Sequence, residues 1–255
     1  MYTRKRQFLL ALFLCLYFTS LQALCVAKGE LYQATVKSVT DGDTLILHND
    51  SFKEDRKVRL VGLNTPELDY KNGEHDAFAM EAFQLLLTYQ GQTIFYQTGP
   101  DKRDRYGRYL YYLFDNNRIS IGSRLLSEGL GYRVAIPPNL AYQPCLMQVE
   151  SKAKASRIGV WQTVQHWQPK AGFAVADIIV KSVTQNRGGW WLETNLNLAI
   201  NLPKRNQDQW TAQEVYSLEG HRLTARGWQF YRKSKKNKQQ EWVMLVKHPN
   251  DLVFE

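Results

Sequence analysis

Val58-Arg59-Leu60-Val61-Gly62-Leu63-Asn64-Thr65-Pro66-Glu67 reads as an apolar strand that runs into a proline turn and ends on a carboxylate. Proline biases the residue before it toward extended backbone, so Thr65 can present its carbonyl outward. Arg59 interrupts the apolar run and must face a partner, because a lone buried charge is costly. An arginine on a barrel surface would account for Arg59 by itself. Glu67, however, projects from the same strand end.

Working outward, residues 31–39 alternate loosely into Asp41-Gly42-Asp43, and 44–48 follow as a second strand before 57–63. Asp-Gly is a favoured hairpin turn, but two acids bracketing a glycine also suit an oxygen-ligand metal site. Downstream, Phe78, Ala82, Leu85 and Leu86 recur at helical spacing. Residues 93–97 and 109–114 read as two more strands, joined by Asp104-Arg105-Tyr106-Gly107-Arg108. Ser120 can cap a short helix that stops at Gly129, and Leu146, Val149 and Ala153 line a last helix ending near Ser156. Three strands, a helix, two strands and two helices suit a five-stranded oligonucleotide-binding-like barrel with three helices, of α+β and mainly β class.

These segments supply what phosphodiester hydrolysis needs. A hard cation requires oxygen ligands, a phosphate requires planar, permanently charged donors, and the attacking water requires an orienting base. Jointly, in order, spacing and residue type, they resemble the staphylococcal nuclease family over about residues 31–161, ending in Ile158-Gly159-Val160-Trp161. The resemblance implies that Asp43 binds calcium, that Asp41 supports that site, and that the Thr65 carbonyl is a further ligand. It makes Glu67 the group that orients or deprotonates water, Arg59 and Arg108 the phosphate-binding arginines, and Tyr106 a neighbour of the scissile nucleotide. Arg105, beside it, is a further substrate-binding candidate. Asn64 departs from the pattern, in which an aspartate is expected; the amide oxygen can still bind metal but lacks a charge. At about 4 Å, one unit charge counts for roughly 1–4 kcal/mol between bulk-water and surface dielectrics. The implied activity is calcium-dependent, largely sequence-independent cleavage of DNA or RNA, single strands preferred, leaving 3′-phosphates. A non-catalytic nucleic-acid-binding protein on the same fold is the alternative.

The formal charge of +9 over 255 residues favours polyanions without choosing among them. Arg4-Lys5-Arg6, an apolar run over 8–18 and the small-x-small Cys25-Val26-Ala27 have the layout of a secretory leader spanning 1–27. An uncleaved anchor is the alternative. Cleavage predicts a periplasmic or secreted monomer without stable membrane association. It would also remove Cys15 and Cys25, leave Cys145 alone, and exclude an intramolecular disulfide.

Residues 162–170 read as a linker, making 28–161 a nuclease-like domain that folds and cuts without the C-terminal residues. Residues 171–255 form a smaller β-rich module that weakly resembles an oligonucleotide-binding fold, with a hairpin turn at Asn186-Arg187-Gly188-Gly189. Within it Arg232, Lys233, Lys235 and Lys236 lie among Trp228, Tyr231 and Trp242. Cations beside stacking aromatics can hold single strands, although a solvated loop between strands would have the same composition.

Overall fold

A computed structural model describes residues 24–163, 166–233 and 241–254. Strands β1 (Tyr32–Asp41), β2 (Thr44–His48), β3 (Arg56–Leu60), β5 (Thr93–Arg103) and β6 (Tyr109–Phe114) close into a barrel in the order β1-β2-β3-β6-β5. All contacts are antiparallel except β3 with β6. Inward-facing Val36, Leu45, Leu47, Val58, Leu60 and Ile94 fill it, as period-two alternation requires.

The stretch 57–63, apolar but for Lys57 and Arg59, is not one strand. At Gly62 the backbone turns left-handed (φ 94°), and the chain re-enters a separate two-residue strand, β4 (Leu63–Asn64), paired with β7 (Tyr132–Arg133). Helices α1 (Ala79–Leu87), α2 (Ile121–Ser127) and α3 (Gln143–Ala155) pack on the barrel. The Ser120 hydroxyl caps α2 by accepting from the Ser123 amide at 3.1 Å.

The second half is also a ring. Strands β8 (Gly172–Asn186), β9 (Gly189–Thr194), β10 (Leu198–Pro203), β12 (Trp242–Leu245) and β11 (Arg222–Tyr231) are hydrogen-bonded in that order, and β11 returns to β8. Strand β13 (Leu252–Phe254) adds to β11. Only β10 and β12 run parallel, so the ring repeats the strand order of the first barrel. A short helix, α4 (Ala212–Tyr216), falls between the third and fourth strands, as α1 does in the first barrel.

Residues 162–170 are not a loose tether where described. The Trp167 indole N–H donates to Gln229 Oε1 at 2.7 Å, and the Gln229 amide donates to the Gln168 and Lys170 carbonyls, both at 2.7 Å. A buried ionic cluster also crosses between the halves. Arg226 Nη1 donates to Glu150 at 2.6 and 2.8 Å. Arg133 is paired to Asp251 at 3.4 Å and to Glu150 at 3.7 Å, and donates to the Asn250 carbonyl. Both Asp251 oxygens accept from the Ala135 amide at 3.0–3.1 Å.

The cysteine expectation is overturned. Cys25 and Cys145 form a disulfide that ties the start of the described chain to α3. Cys25 is 2% exposed, its amide donates to Ser123 Oγ, and its carbonyl accepts from the Ser120 amide. A leader ending at Ala27 would remove a residue the fold uses. A buried core favours a small apolar cysteine as much as a leader end does, so the small-residue pattern at 25–27 fits either reading.

Candidate active site

The site is built at the turn between β1 and β2. A Cβ on Gly42 would lie 2.7 Å from both the Ala82 Cβ and Thr65 Oγ1. The glycine therefore lets α1 and the Thr65 segment close over the turn between the two acids, a packing demand beyond hairpin preference. Asp43 is 3% exposed. Its carbonyl accepts from the Leu60 amide at 2.9 Å, and its carboxylate accepts from the Thr44 hydroxyl at 2.9 Å and the Thr65 amide at 3.3 Å.

Arg59, 8% exposed, is the partner that the apolar strand demanded. Its Nη2 lies 2.7 Å from Asp43 Oδ2 and donates to Asn64 Oδ1 at 2.8 Å. Its Nη1 donates to the carbonyls of Leu60 at 2.9 Å and Leu63 at 3.1 Å. Four contacts occupy the two terminal nitrogens, leaving Nε–H for a ligand. The Asn64 amide in turn donates to the Thr65 carbonyl at 2.8 Å, so that carbonyl is turned toward Asn64 within the buried pocket.

Arg108 arrives from the turn before β6. Asp104 sets its direction: Oδ2 accepts from Arg108 Nε at 2.7 Å, while Oδ1 accepts from the backbone amides of Tyr106 and Arg108. Arg108 Nη1 reaches Thr44 Oγ1 at 3.4 Å, and the Thr44 hydroxyl donates in turn to Asp43. Thr44 thus couples the second arginine to the buried acid. Tyr106 is 68% exposed. The guanidinium carbons of Arg105 and Arg108 lie 4.7 and 5.5 Å from its ring centre, a cation–π arrangement open to a stacking base.

Glu67 stands at the solvent rim. Its carboxyl is pushed up to about 7, first by burial against the pocket wall and then by Asp43 and Asp41, with Arg59 opposing. Asp41 is also raised, by burial first and Asp43 second, and the two carboxyls share a hydrogen bond. Three acids thus face one guanidinium, and Thr65 Oγ1 is buried without a hydrogen-bond partner. Among the described residues no three His, Cys, Asp or Glu side chains form a ready metal cage. The surplus of hard, negatively charged oxygen donors with neutral carbonyl oxygens nevertheless fits a cation such as calcium.

The seven barrel positions Asp41, Asp43, Arg59, Asn64, Thr65, Glu67 and Arg108 therefore converge, with Tyr106 and Arg105 at the open side. Arg232 and Lys233 do not join them. They follow β11 at the edge where β12 begins, with Arg232 4.8 Å from the Trp191 ring centre. Lys235 and Lys236 lie outside the described residues, as does most of the proposed leader. Thr44 and Asp104 sit within the sequence motifs but carry no role on sequence grounds; Thr44 adjoins the acid Asp43, and Asp104 adjoins Arg105. Arg133 lies outside every motif, yet its strand β7 holds Asn64 through the Asn64–Tyr132 pairing.

The staphylococcal nuclease homologue family profile matches residues 57–163. The chain is 32% identical over 138 residues to a thermonuclease of Staphylococcus intermedius, covering 53% of this chain and 78% of that protein. It is 30% identical over 158 residues to an uncharacterized protein of Methanocaldococcus jannaschii, covering 53% and 74%. It is 31% identical over 139 residues to endonuclease YncB of Bacillus subtilis, covering 52% and 64%. With the five-stranded barrel beside these likenesses, the chain belongs to the staphylococcal nuclease family.

Proposed function

We propose that this protein is an exported, calcium-dependent nuclease that hydrolyses DNA or RNA with little sequence preference. The observation that carries the reading is the buried Arg59–Asp43 pair with Glu67 on one side and the Thr44-linked Arg108 on the other. Asp43, Asp41, the Asn64 amide oxygen and the Thr65 carbonyl would hold calcium, which when bound withdraws charge from a phosphate oxygen. Glu67, at the rim, orients the attacking water and takes up its proton. Arg59 offers Nε–H, and Arg108 its remaining terminal donors, to the oxygens on which charge accumulates. Arginine is too weak an acid to give up its proton, so both act as fixed positive charges. Tyr106 stacks a flanking base, which favours single strands. By family likeness the products carry 3′-phosphates.

Export is supported by the basic-apolar leader pattern and by the Cys25–Cys145 disulfide, which persists in oxidising compartments. No described helix is long and apolar enough to cross a membrane. The mature protein is taken as a monomer whose chain begins upstream of Cys25. The test is a zymogram with DNA and with RNA, with calcium and with chelator. Clearing that requires calcium supports the reading; no clearing of either polymer under any divalent metal overturns it.

A further inference from the structure

Rings and guanidiniums alternate at one end of the first barrel. The Arg56 guanidinium carbon lies 3.6 Å from the Phe52 ring centre and 4.8 Å from that of Tyr109. The Arg103 guanidinium carbon lies 4.0 Å from the same Tyr109 ring centre. The column therefore runs Phe52, Arg56, Tyr109, Arg103. Its place follows from the topology. Strands β3 and β6 run parallel, so Arg56 and Tyr109, their first residues, stand on one rim. Arg103, the last residue of β5, is the strand partner of Tyr109. Tyr32 opens β1 on the same rim, is 48% exposed, and lies 5.6 Å from the ring centre of Tyr96.

Tyrosine hydroxyls hold both cations: Arg56 Nη1 donates to Tyr111 Oη at 2.7 Å, and Arg103 Nη2 donates to Tyr109 Oη. The acids nearby are bonded elsewhere or stand in solvent. Asp55 accepts from Lys37 and bonds His48 at 2.8 Å, Asp50 lies 3.5 Å from His48, and Asp104 is taken by Arg108. Glu54 and Asp101 are exposed. Among the described residues no acid forms an ion pair with Arg56 or Arg103. Arg56 is half-buried, and a charge withdrawn from water needs a counter-charge. Two pre-oriented guanidiniums without one fit phosphate. The exposed end of the column is Arg103, and a base can stack on a guanidinium plane. Arg103 also adjoins the active site, since it precedes Asp104, the acid that directs Arg108, and donates to the Gly107 carbonyl at 3.4 Å.

We propose that this column is a strand-binding site beside the catalytic pocket, where Arg56 and Arg103 hold phosphates of a single-stranded nucleic acid flanking the bond to be cut, and Arg103 and Tyr32 stack its bases. The proposal rests on the nuclease reading for its ligand. Cations interleaved with aromatic rings are the usual means of holding single strands without reading their sequence. A strand whose scissile phosphate meets Arg108 reaches Arg103 across the turn that carries both.

The test is fluorescence polarisation of a labelled single-stranded 20-mer of thymidylate across a salt series, with chelator present so that nothing is cut. The Arg56→Gln, Arg103→Gln double variant should bind at least tenfold more weakly near 0.1 M salt. Its slope of log affinity on log salt should be shallower by about 1.4, at roughly 0.7 per single-strand phosphate contact. The corresponding double lysine variant should keep the wild-type slope yet bind more weakly, because lysine keeps the charge and loses the stacking plane. An abasic phosphodiester 20-mer of equal charge should bind the wild type less tightly than thymidylate. If the glutamine double variant melts early, the exposed Arg103→Gln alone should lower the slope by about 0.7. Unchanged affinity and slope in the glutamine variants overturn the site and leave the column a plug of the barrel end. Equal binding of the abasic and thymidylate strands, or a wild-type protein that binds neither, also overturns it. Wild-type protein that binds with the expected slopes but never cuts overturns the catalytic reading and leaves the site standing.

Discussion

Arg59 and Asp43 fasten each other 2.7 Å apart and almost out of solvent, and the same guanidinium also grips the Asn64 amide oxygen and two strand carbonyls. The arginine proposed to bind phosphate is thus also the clasp that joins β2, β3 and β4. A lysine retains the charge but cannot match this fork of donors. Arg59→Lys should lower kcat/KM by about a hundredfold or more, the scale of losing one fixed donor to the transition state. Steady-state kinetics on single-stranded DNA check this; wild-type turnover in the lysine variant would mean that only charge matters at position 59.

Asn64→Asp should tighten calcium binding by several-fold or more, since it adds a carboxylate beside Asp43 and removes the amide N–H that occupies the Thr65 carbonyl. Calorimetric titration reads it. Affinity that stays level or falls would show that position 64 serves Arg59 and not the metal.

The disulfide makes two linked predictions. Intact mass and N-terminal sequencing of exported protein should find Cys25 retained and both thiols oxidised. Cys145→Ser should lower unfolding stability by roughly 2–5 kcal/mol, because the closed loop is long. Free thiols in fully stable exported protein would contradict both.

Removal of residues after Lys170 should destabilise the first barrel, because it strips Arg226 and Asp251 from the buried Glu150 and Arg133. Within that cluster burial pushes the Asp251 carboxyl up to about 7 against the pull of Arg133 and Arg226. The folded state then holds a proton that the unfolded state releases near its ordinary value of 3.8. The Asp251 contribution to stability is therefore fully present below about pH 4 and is lost as pH rises toward 7. Thermal melting across that window, compared with Asp251→Asn, should show the wild type losing stability relative to the variant as pH rises. A truncated barrel as stable as the full chain would show that the halves are independent.

Much of this was legible because the signals are local. Thr44–His48 and Tyr109–Phe114 carry β-branched and aromatic residues between polar turns, and their bounds are those expected. Asp43, Arg59 and Arg108 announce themselves by charge within short motifs. The break at Gly62 was hidden because apolar residues continue on both sides of it, and hydropathy does not record a backbone reversal. Arg133, Glu150, Arg226 and Asp251 are separated by up to 118 residues, so no local period connects them. Cys25 was lost to a competing pattern, since leader ends and buried core both favour small residues.

Glu67 gives the most direct test of the central claim. Glu67→Gln keeps the size and rim position of the side chain but cannot accept a proton from water. With calcium saturating and the fold verified by circular dichroism, the wild type should cleave single-stranded DNA, and the glutamine variant should lose kcat by at least a hundredfold with KM little changed. Near-wild-type kcat in Glu67→Gln would contradict the assignment of this pocket as the catalytic centre.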